Sequence, residues 1–161
     1  MLHKVVQLGG KSYFWLEKTN VVSMIQEYQV SGFRVREYEE LESTNTEAER
    51  VGWSELEDKM VILTYRQTQG RGQVGNHWES EPGKNISMTV VFKPRELPAG
   101  QQFAVSMVIA LGACDFISRY VSGCSVKWPN DIYVGDRKIS GILIEHSIMG
   151  RYVGGSLCGE Y

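Results

Sequence analysis

A glycine-rich stretch placed directly after an apolar run constrains this chain more than any other feature. Met60-Val61-Ile62-Leu63-Thr64-Tyr65 reads as a strand, and Gln67-Thr68-Gln69-Gly70-Arg71-Gly72-Gln73-Val74-Gly75-Asn76-His77-Trp78 follows it. Gly70, Gly72 and Gly75 spell G-x-G-x-x-G, which in a dinucleotide site must open a helix whose N-terminus faces a pyrophosphate. Here the next residues run into Pro82-Gly83, which break a helix. The ribose-binding acid due about twenty residues on would fall in Met88-Thr89-Val90-Val91-Phe92, which contains none. The dinucleotide reading fails. What remains is a pliable loop that lets backbone N–H groups approach an anion. It carries one guanidinium, Arg71, and ends on a large aromatic, Trp78.

With 161 residues the chain is expected to be one domain or a piece of a larger one. A net charge of −2 provides no general attraction for nucleic acid or an anionic membrane, so an anionic ligand must be held by local cations. Cys114, Cys124 and Cys158 are odd in number and lack C-x-x-C spacing, which suggests neither a disulfide framework nor a zinc site. No stretch reads as a bilayer span and the N-terminus does not read as a secretory signal, so the expectation is a cytoplasmic protein.

Residues 1–32 form an N-terminal segment without assigned chemistry. Val5–Leu8 and Tyr13–Leu16 read as short strands around Gly9-Gly10, and Val21–Val30 as one short helix. Phe33–Tyr38 alternates as a strand. Thr44 and Glu47 have capping-box spacing, predicting a helix start at Thr44. Asn85–Phe92 is expected to be a strand. Pro98 then opens the longest helix, with Phe103, Met107, Val108, Leu111, Cys114, Ile117 and Tyr120 on its core face. Gly135-Asp136 between apolar runs predicts a hairpin returning at Lys138. Residues 149–161 show no periodicity and read as a tail, leaving 33–148 as the main domain.

Three separated motifs stand in one order. They are Ser43-Thr44-Asn45, then Gln67 with Gly70-Arg71-Gly72, Gly75 and Trp78, then Lys127-Trp128-Pro129-Asn130-Asp131 followed by Arg137-Lys138, Gly141-Ile142-Leu143 and Glu145. Together they resemble the catalytic domain of biotin protein ligases, over roughly residues 36 to 148. The resemblance implies an α+β fold, a mixed β-sheet with helices packed on one face, related to class II aminoacyl-tRNA synthetases. It implies that biotin and ATP give biotinyl-5′-adenylate, and that the acyl group passes to a lysine of a biotin carboxyl carrier protein. It also implies further ATP-binding elements beyond the Glu145 strand, so the chain is expected to be a partial catalytic domain.

By that resemblance Ser43, Thr44 and Asn45 hydrogen-bond the ureido end of biotin, and Gln67 lines the same pocket. Arg71, Gly72 and Gln73 close over the adenylate, and Trp78 packs near the adenine. Lys138 meets the biotin carboxylate and the α-phosphate, while Gly141 and Leu143 contact the ligand through backbone. Lys127, Asn130 and Asp131 organise the phosphates and Mg²⁺, with Asp131 as the metal ligand. The chemistry needs such groups, because joining a carboxylate to an α-phosphate brings two anions together and cations must offset their repulsion. A neutral ureido group needs neutral donors and acceptors in fixed places. Gln73 and Val74 stand where the family often has a second basic residue, and no helix-turn-helix pattern precedes the domain, so no repressor role is expected. The alternatives are a lipoate or octanoate ligase, whose saturated acyl tail leaves the Ser43–Asn45 cluster without a partner, and a biotin-binding module without turnover.

Overall fold

The computed structural model describes residues 4–8, 11–15 and 23–161. Strand β1 (Lys4–Leu8) pairs antiparallel with β2 (Lys11–Trp15) as a separate two-stranded sheet. The expected Gly9-Gly10 turn lies outside the described residues.

The chain then enters an eight-stranded sheet through β3 (Met24–Val30) and β4 (Phe33–Tyr38). The helix expected over Val21–Val30 is corrected here: from Met24 the segment is an edge strand, exposed at every residue. Its reason is the two-residue turn, where Ser31 (φ 49°) and Gly32 (φ 81°) both take the left-handed conformation that matches strand twist in a tight hairpin. Arg34 and Arg36 reinforce the pairing by clamping Glu27 at 2.6 and 2.8 Å.

Helix α1 (Thr44–Val51) starts at Thr44, as expected, but not through the capping box. Ser43, not Thr44, is the cap; its hydroxyl accepts from the Thr46 amide at 3.5 Å, and Glu47 turns to Arg50 instead of reaching back. Next come β5 (Met60–Thr64), buried throughout, the short β6 (Gly70–Arg71) and β7 (His77–Trp78), and β8 (Ser87–Phe92). A single 3₁₀ turn, Gln73–Gly75, joins β6 to β7, so no helix opens at the glycines.

A 3₁₀ turn (Ala99–Gln101) leads into α2 (Phe103–Ile117). The expected core face is corrected. Val105 and Ala110 are buried, whereas Phe103, Met107, Val108, Leu111 and Tyr120 are exposed. The helix is apolar nearly all round, so its periodicity did not single out one face. The expectation that no stretch is long and apolar enough for a bilayer is also corrected, since Ala99–Ile117 meets that test with a mean hydropathy of 1.4 over a window within its 19 residues. Its regular α-helical part has only 15 residues, about 22 Å at 1.5 Å per residue, against a hydrocarbon core of about 30 Å.

The rest is β9 (Cys124–Lys127), β10 (Asp131–Val134), β11 (Arg137–Met149) and β12 (Tyr152–Glu160). The sheet order is β3-β4-β5-β8-β12-β11-β10-β9, parallel only between β4 and β5. The tail expected at 149–161 is therefore corrected: β12 lies inside the sheet, hydrogen-bonded to β8 and β11. Likewise, β3 belongs to the main sheet, so the expected boundary at residue 33 cuts through a hairpin.

Pairing partners place their side chains on one face of a sheet. Leu157 opposes both Val91 and Glu145, while Cys158 opposes Val90 and Ile144. Helix α1 covers the Leu157 face, packing Ala48 with Leu41, Met60, Ile62, Val91 and Leu157. Helix α2 covers the opposite face around Ala110, Ile132, Ile142 and Ile144. The α+β mixed sheet agrees with expectation, but the two helices lie on opposite faces. The candidate site forms on the α1 side.

Candidate functional site

The Ser43–Asn45 triplet sits at the start of α1 and is buried against β8 and β11. Thr44 N–H donates to Gln67 Oε1 at 3.0 Å, which ties the helix start to the residue before the glycine loop. Asn45 Nδ2 donates to Glu145 Oε2 at 2.8 Å and reaches the Leu143 carbonyl at 3.4 Å. The Thr89 hydroxyl lies 2.5 Å from Asn45 Oδ1 and 2.8 Å from Thr44 Oγ1. Since Oδ1 can only accept, the Thr89 proton goes there, and Thr44 donates to Thr89. Both amide protons of Asn45 are thus spent inside the protein, on the strand that bears Glu145.

Three buried polar atoms nearby have no protein partner: Gln67 Nε2, Arg71 Nε and the Tyr161 hydroxyl. Gln67 is only 5% exposed and Tyr161 only 6%. The phenol lies beside Ser43 and Thr44; burial pushes it up from its ordinary pKa, and those two hydroxyls and Arg71 partly offset that. An unpaired buried polar atom costs about 1–3 kcal/mol. Two of these residues, Arg71 and Tyr161, line one cavity, and Gln67 is tied to the helix start beside Tyr161, which marks a place prepared for polar groups of something else.

That cavity, of about 310 Å³, is lined by the loop residues Arg71, Gly72, Gln73 and Trp78, by Asn130, Asp131 and Lys138, and by Gly141, Leu143 and Tyr161. Arg71 is held in its wall, with Nη2 on Glu145 at 2.8 Å and Glu49 at 3.2 Å. Lys138 holds Asp131 at 2.8 Å, and its ammonium lies 4.9 Å from the Trp78 ring centre. Trp78 in turn faces Tyr161, with ring centres 6.0 Å apart. Gly72 donates to the Asn76 carbonyl, which closes the turn, and Gln73 is exposed at its start. Asn130 donates to the Ile142 carbonyl at 2.7 Å, which anchors the turn before Asp131.

A bulge aims Lys138 into the cavity. Pairing steps from Ile132↔Ser140 to Tyr133↔Lys138, leaving Ile139 without an opposite residue. Simple alternation would set Lys138 and Ser140 on one face. With the bulge, Lys138 lines this cavity while Ser140 lines a larger apolar one under α2. Gly141 is needed where it stands, because a Cβ there would lie 3.0 Å from the Trp78 ring and 3.2 Å from the Lys138 ammonium. Its N–H and carbonyl both pair with Tyr161, at 3.1 Å.

Of the residues expected at the site, Arg71, Gly72, Gln73, Trp78, Asn130, Asp131, Lys138, Gly141 and Leu143 line this cavity; Ser43, Thr44, Asn45 and Gln67 do not line it but are linked to its walls through Tyr161 and Leu143, and Lys127 stands apart from both groups. That side chain is exposed, with its ammonium 5.2 Å from the Tyr133 ring centre, and does not line the cavity. Sequence reasoning assigned no role to Glu145, Glu49, Thr89 or Tyr161. Glu145 had a usable signal, a carboxylate inside the apolar run Gly141-Ile-Leu-Ile-Glu145 that a strand must pair with something.

The comparisons agree with this geometry. Residues 38–160 match the family model of the biotin/lipoate A/B protein ligase family. The chain is 31% identical over 144 residues to the bifunctional ligase/repressor BirA of Escherichia coli, covering 88% of this chain and 44% of that protein. It is 32% identical over 111 residues to the biotin–[acetyl-CoA-carboxylase] ligase of Paracoccus denitrificans, covering 68% and 45%. Among solved structures, the biotin acetyl coenzyme A carboxylase synthetase of Helicobacter pylori with bound biotinylated ATP superposes with a TM-score of 0.64 at 28% identity, covering 78% of this chain and 58% of that one. The biotin protein ligase of Aquifex aeolicus with biotin and ATP gives 0.62 at 26%, covering 78% and 50%. The chain spans less than half the length of the two curated relatives. With the family model matched over most of its length, this chain belongs to the biotin/lipoate A/B protein ligase family.

Proposed function

We propose that this chain forms the biotin- and adenylate-binding part of an ATP-dependent biotin protein ligase. The reaction is the joining of biotin, through biotinyl-5′-adenylate, to a lysine of a biotin carboxyl carrier protein. The observation that carries this reading is the polarity of the site: a cavity lined by the cations Arg71 and Lys138 and by Tyr161, whose hydroxyl has no hydrogen-bond partner, with Gln67, whose Nε2 is also unpaired, tied to the adjoining start of α1. A cyclic urea with a carboxylate tail presents complementary groups. A lipoyl or octanoyl tail would leave the neutral donors unsatisfied, which favours biotin within the family.

A biotin carboxylate oxygen attacks the α-phosphorus of ATP, pyrophosphate leaves, and a carrier lysine amine then takes the acyl group as AMP departs. Arg71 and Lys138 are the cations able to offset charge where the two anions meet. Both are already held by carboxylates, Arg71 by Glu49 and Glu145 and Lys138 by Asp131, so they are oriented before the anions arrive. Trp78 offers an aromatic face for the adenine.

For Mg²⁺ the donor set is thin but sufficient. No cluster of three His, Cys, Asp or Glu side chains exists among the described residues. Nucleotide-bound Mg²⁺ usually takes only one or two protein carboxylates and completes its shell with phosphates and water. Asp131 is the residue that would hold it, and the ion would supply charge neutralisation on the phosphates. With ATP as substrate, the cytoplasm is the fitting compartment.

Calorimetry with biotin, lipoate and octanoate, followed by biotin-dependent pyrophosphate release from ATP, tests the reading. Biotin should bind in preference to both acids and should be required for release. Preference for lipoate would move the chain to the other branch of the family, and absence of any biotin binding would reject the proposal.

A further inference from the structure

On the α2 side of the sheet, away from the ligand cavity, two thiols meet. Cys114 lies in the last turn of α2 and Cys124 opens β9, ten residues later in the chain; their sulfurs are 3.1 Å apart. Both side chains are half-buried, packed among Ile109, Ala113, Ile117 and Val126. The third cysteine, Cys158, is buried in β12 and lies on the sheet face beneath the same helix, but it has no thiol partner. Spacing along the chain gave no hint of the pair, because C-x₉-C matches neither a redox nor a metal motif.

We propose that Cys114 and Cys124 are a redox modification site, forming a disulfide that staples the end of α2 to β9. Closing the bond to about 2.0 Å requires the sulfurs to approach by roughly 1 Å, within reach of side-chain rotation. The oxidant is a small-molecule disulfide of the glutathione class. One cysteine thiolate attacks it, forming a mixed disulfide and releasing one small thiol. The other cysteine then attacks the protein sulfur and releases the second. Two protein thiols thus lose two electrons and two protons, and the oxidant disulfide becomes two thiols.

The position gives the bond a consequence. β9 leads straight into Trp128–Asp131, whose Asn130 and Asp131 line the ligand cavity. β9 is also the last strand of the sheet, held on one side only by β10. A covalent link to α2 supplies this arm with a second attachment and shortens the free loop through the exposed Arg119. Contact with Cys124 and burial both push the Cys114 thiol up from its ordinary pKa, which slows its attack on an oxidant.

The full chain is incubated with oxidised glutathione, its free thiols are alkylated, and it is digested with trypsin. Cleavage after Arg95, Arg119 and Lys127 separates Cys114 and Cys124 onto different peptides. The expected product is those two peptides joined, two hydrogens lighter than the reduced pair and released by dithiothreitol, with Cys158 alone alkylated. The thermal midpoint should rise by several degrees on oxidation. Cys124→Ser should lose both the link and the rise, while Cys158→Ser keeps both. Alkylation of Cys114 and Cys124 after oxidation, separate glutathione adducts on each, or a link through Cys158 would overturn the proposal. A Cys114–Cys124 link without a rise in midpoint would overturn the stapling.

Discussion

Replacing Gly159 by alanine tests whether the site and the sheet are one structure. Gly159 is buried in β12, on the face that α1 covers, directly under Asn45. An added Cβ would lie 2.5 Å from Asn45 Oδ1 and 3.1 Å from both Asn45 Cγ and the Tyr161 hydroxyl. Neither neighbour is a loose surface chain: Asn45 is 0% exposed and Tyr161 6%. The amide must therefore move by several tenths of an ångström, and it carries hydrogen bonds to Thr89 at 2.5 Å and Glu145 at 2.8 Å.

Overpacking a core site typically costs about 1–3 kcal/mol. A strained or broken buried amide hydrogen bond adds about 1 kcal/mol or more. A total near 3 kcal/mol corresponds to a drop in melting temperature of roughly 6–12 °C for a domain of this size. Because Asn45 holds Glu145, and Glu145 holds Arg71, biotin affinity should fall about tenfold or more beyond what partial unfolding explains, read by calorimetry well below the melting transition. The control is Gly112→Ala, where a Cβ meets nothing within 4 Å on an exposed helix position; it should stabilise by about 0.5–1 kcal/mol. If Gly159→Ala melts like the unchanged protein and binds biotin equally well, the packing argument for β12 is wrong.

Lys138→Ala should slow biotin-dependent pyrophosphate release by roughly a hundredfold, and Lys138→Arg should recover little because a planar fork does not reproduce a compact ammonium; near-normal turnover in Lys138→Ala would reject its role. Arg137→Ala, next in sequence but exposed at the start of β11, should be near neutral in the same assay. Glu160 is mostly buried, and burial raises its pKa above the ordinary carboxylate value while the Ser140 hydroxyl at 3.3 Å partly offsets this. Its folded-state preference for the protonated form means a stability penalty at neutral pH that disappears as pH falls through the folded pKa towards 4.5. Glu160→Gln should therefore stabilise the protein against urea at pH 7 and much less at pH 4; equal gains at both values would refute the assignment.

Local patterns legible in the sequence were those whose cause is local. β5 is a run of apolar residues with a strand's length, and it folded as one. The Gly135-Asp136 turn and its return strand were equally readable, since the turn is set by its own two residues. The glycine loop could be separated from a dinucleotide site because the helix-breaking residues stand next to it. The motif order was enough to bring Arg71, Asp131 and Lys138 to one cavity, with Ser43 and Thr44 beside its Tyr161 wall, although neither the Lys138 bulge nor the outward turn of Lys127 is visible in a residue pattern.

β12 shows why the remainder was hidden. Read by composition, Tyr-Val-Gly-Gly-Ser-Leu-Cys-Gly-Glu has too much glycine for a strand. In the fold, those glycines are imposed from outside. A Cβ at Gly155 would enter the Trp53 ring, one at Gly154 would meet the Met149 side chain, and one at Gly159 would meet Asn45. Met149 is the hairpin neighbour just before β12, but Trp53 and Asn45 lie about a hundred residues away, so a window around residues 152–160 misses the reason for Gly155 and Gly159. The same holds for the site. Asn45 looked like a ligand-binding amide because it stands in a polar triplet. Its two amide protons are in fact taken by Glu145 and Leu143, a hundred residues away. The free donors are left to Gln67 and Tyr161, and Tyr161 was in the segment dismissed as a tail. Long-range packing thus decides which polar groups of a motif are spent on the fold and which are left for a ligand.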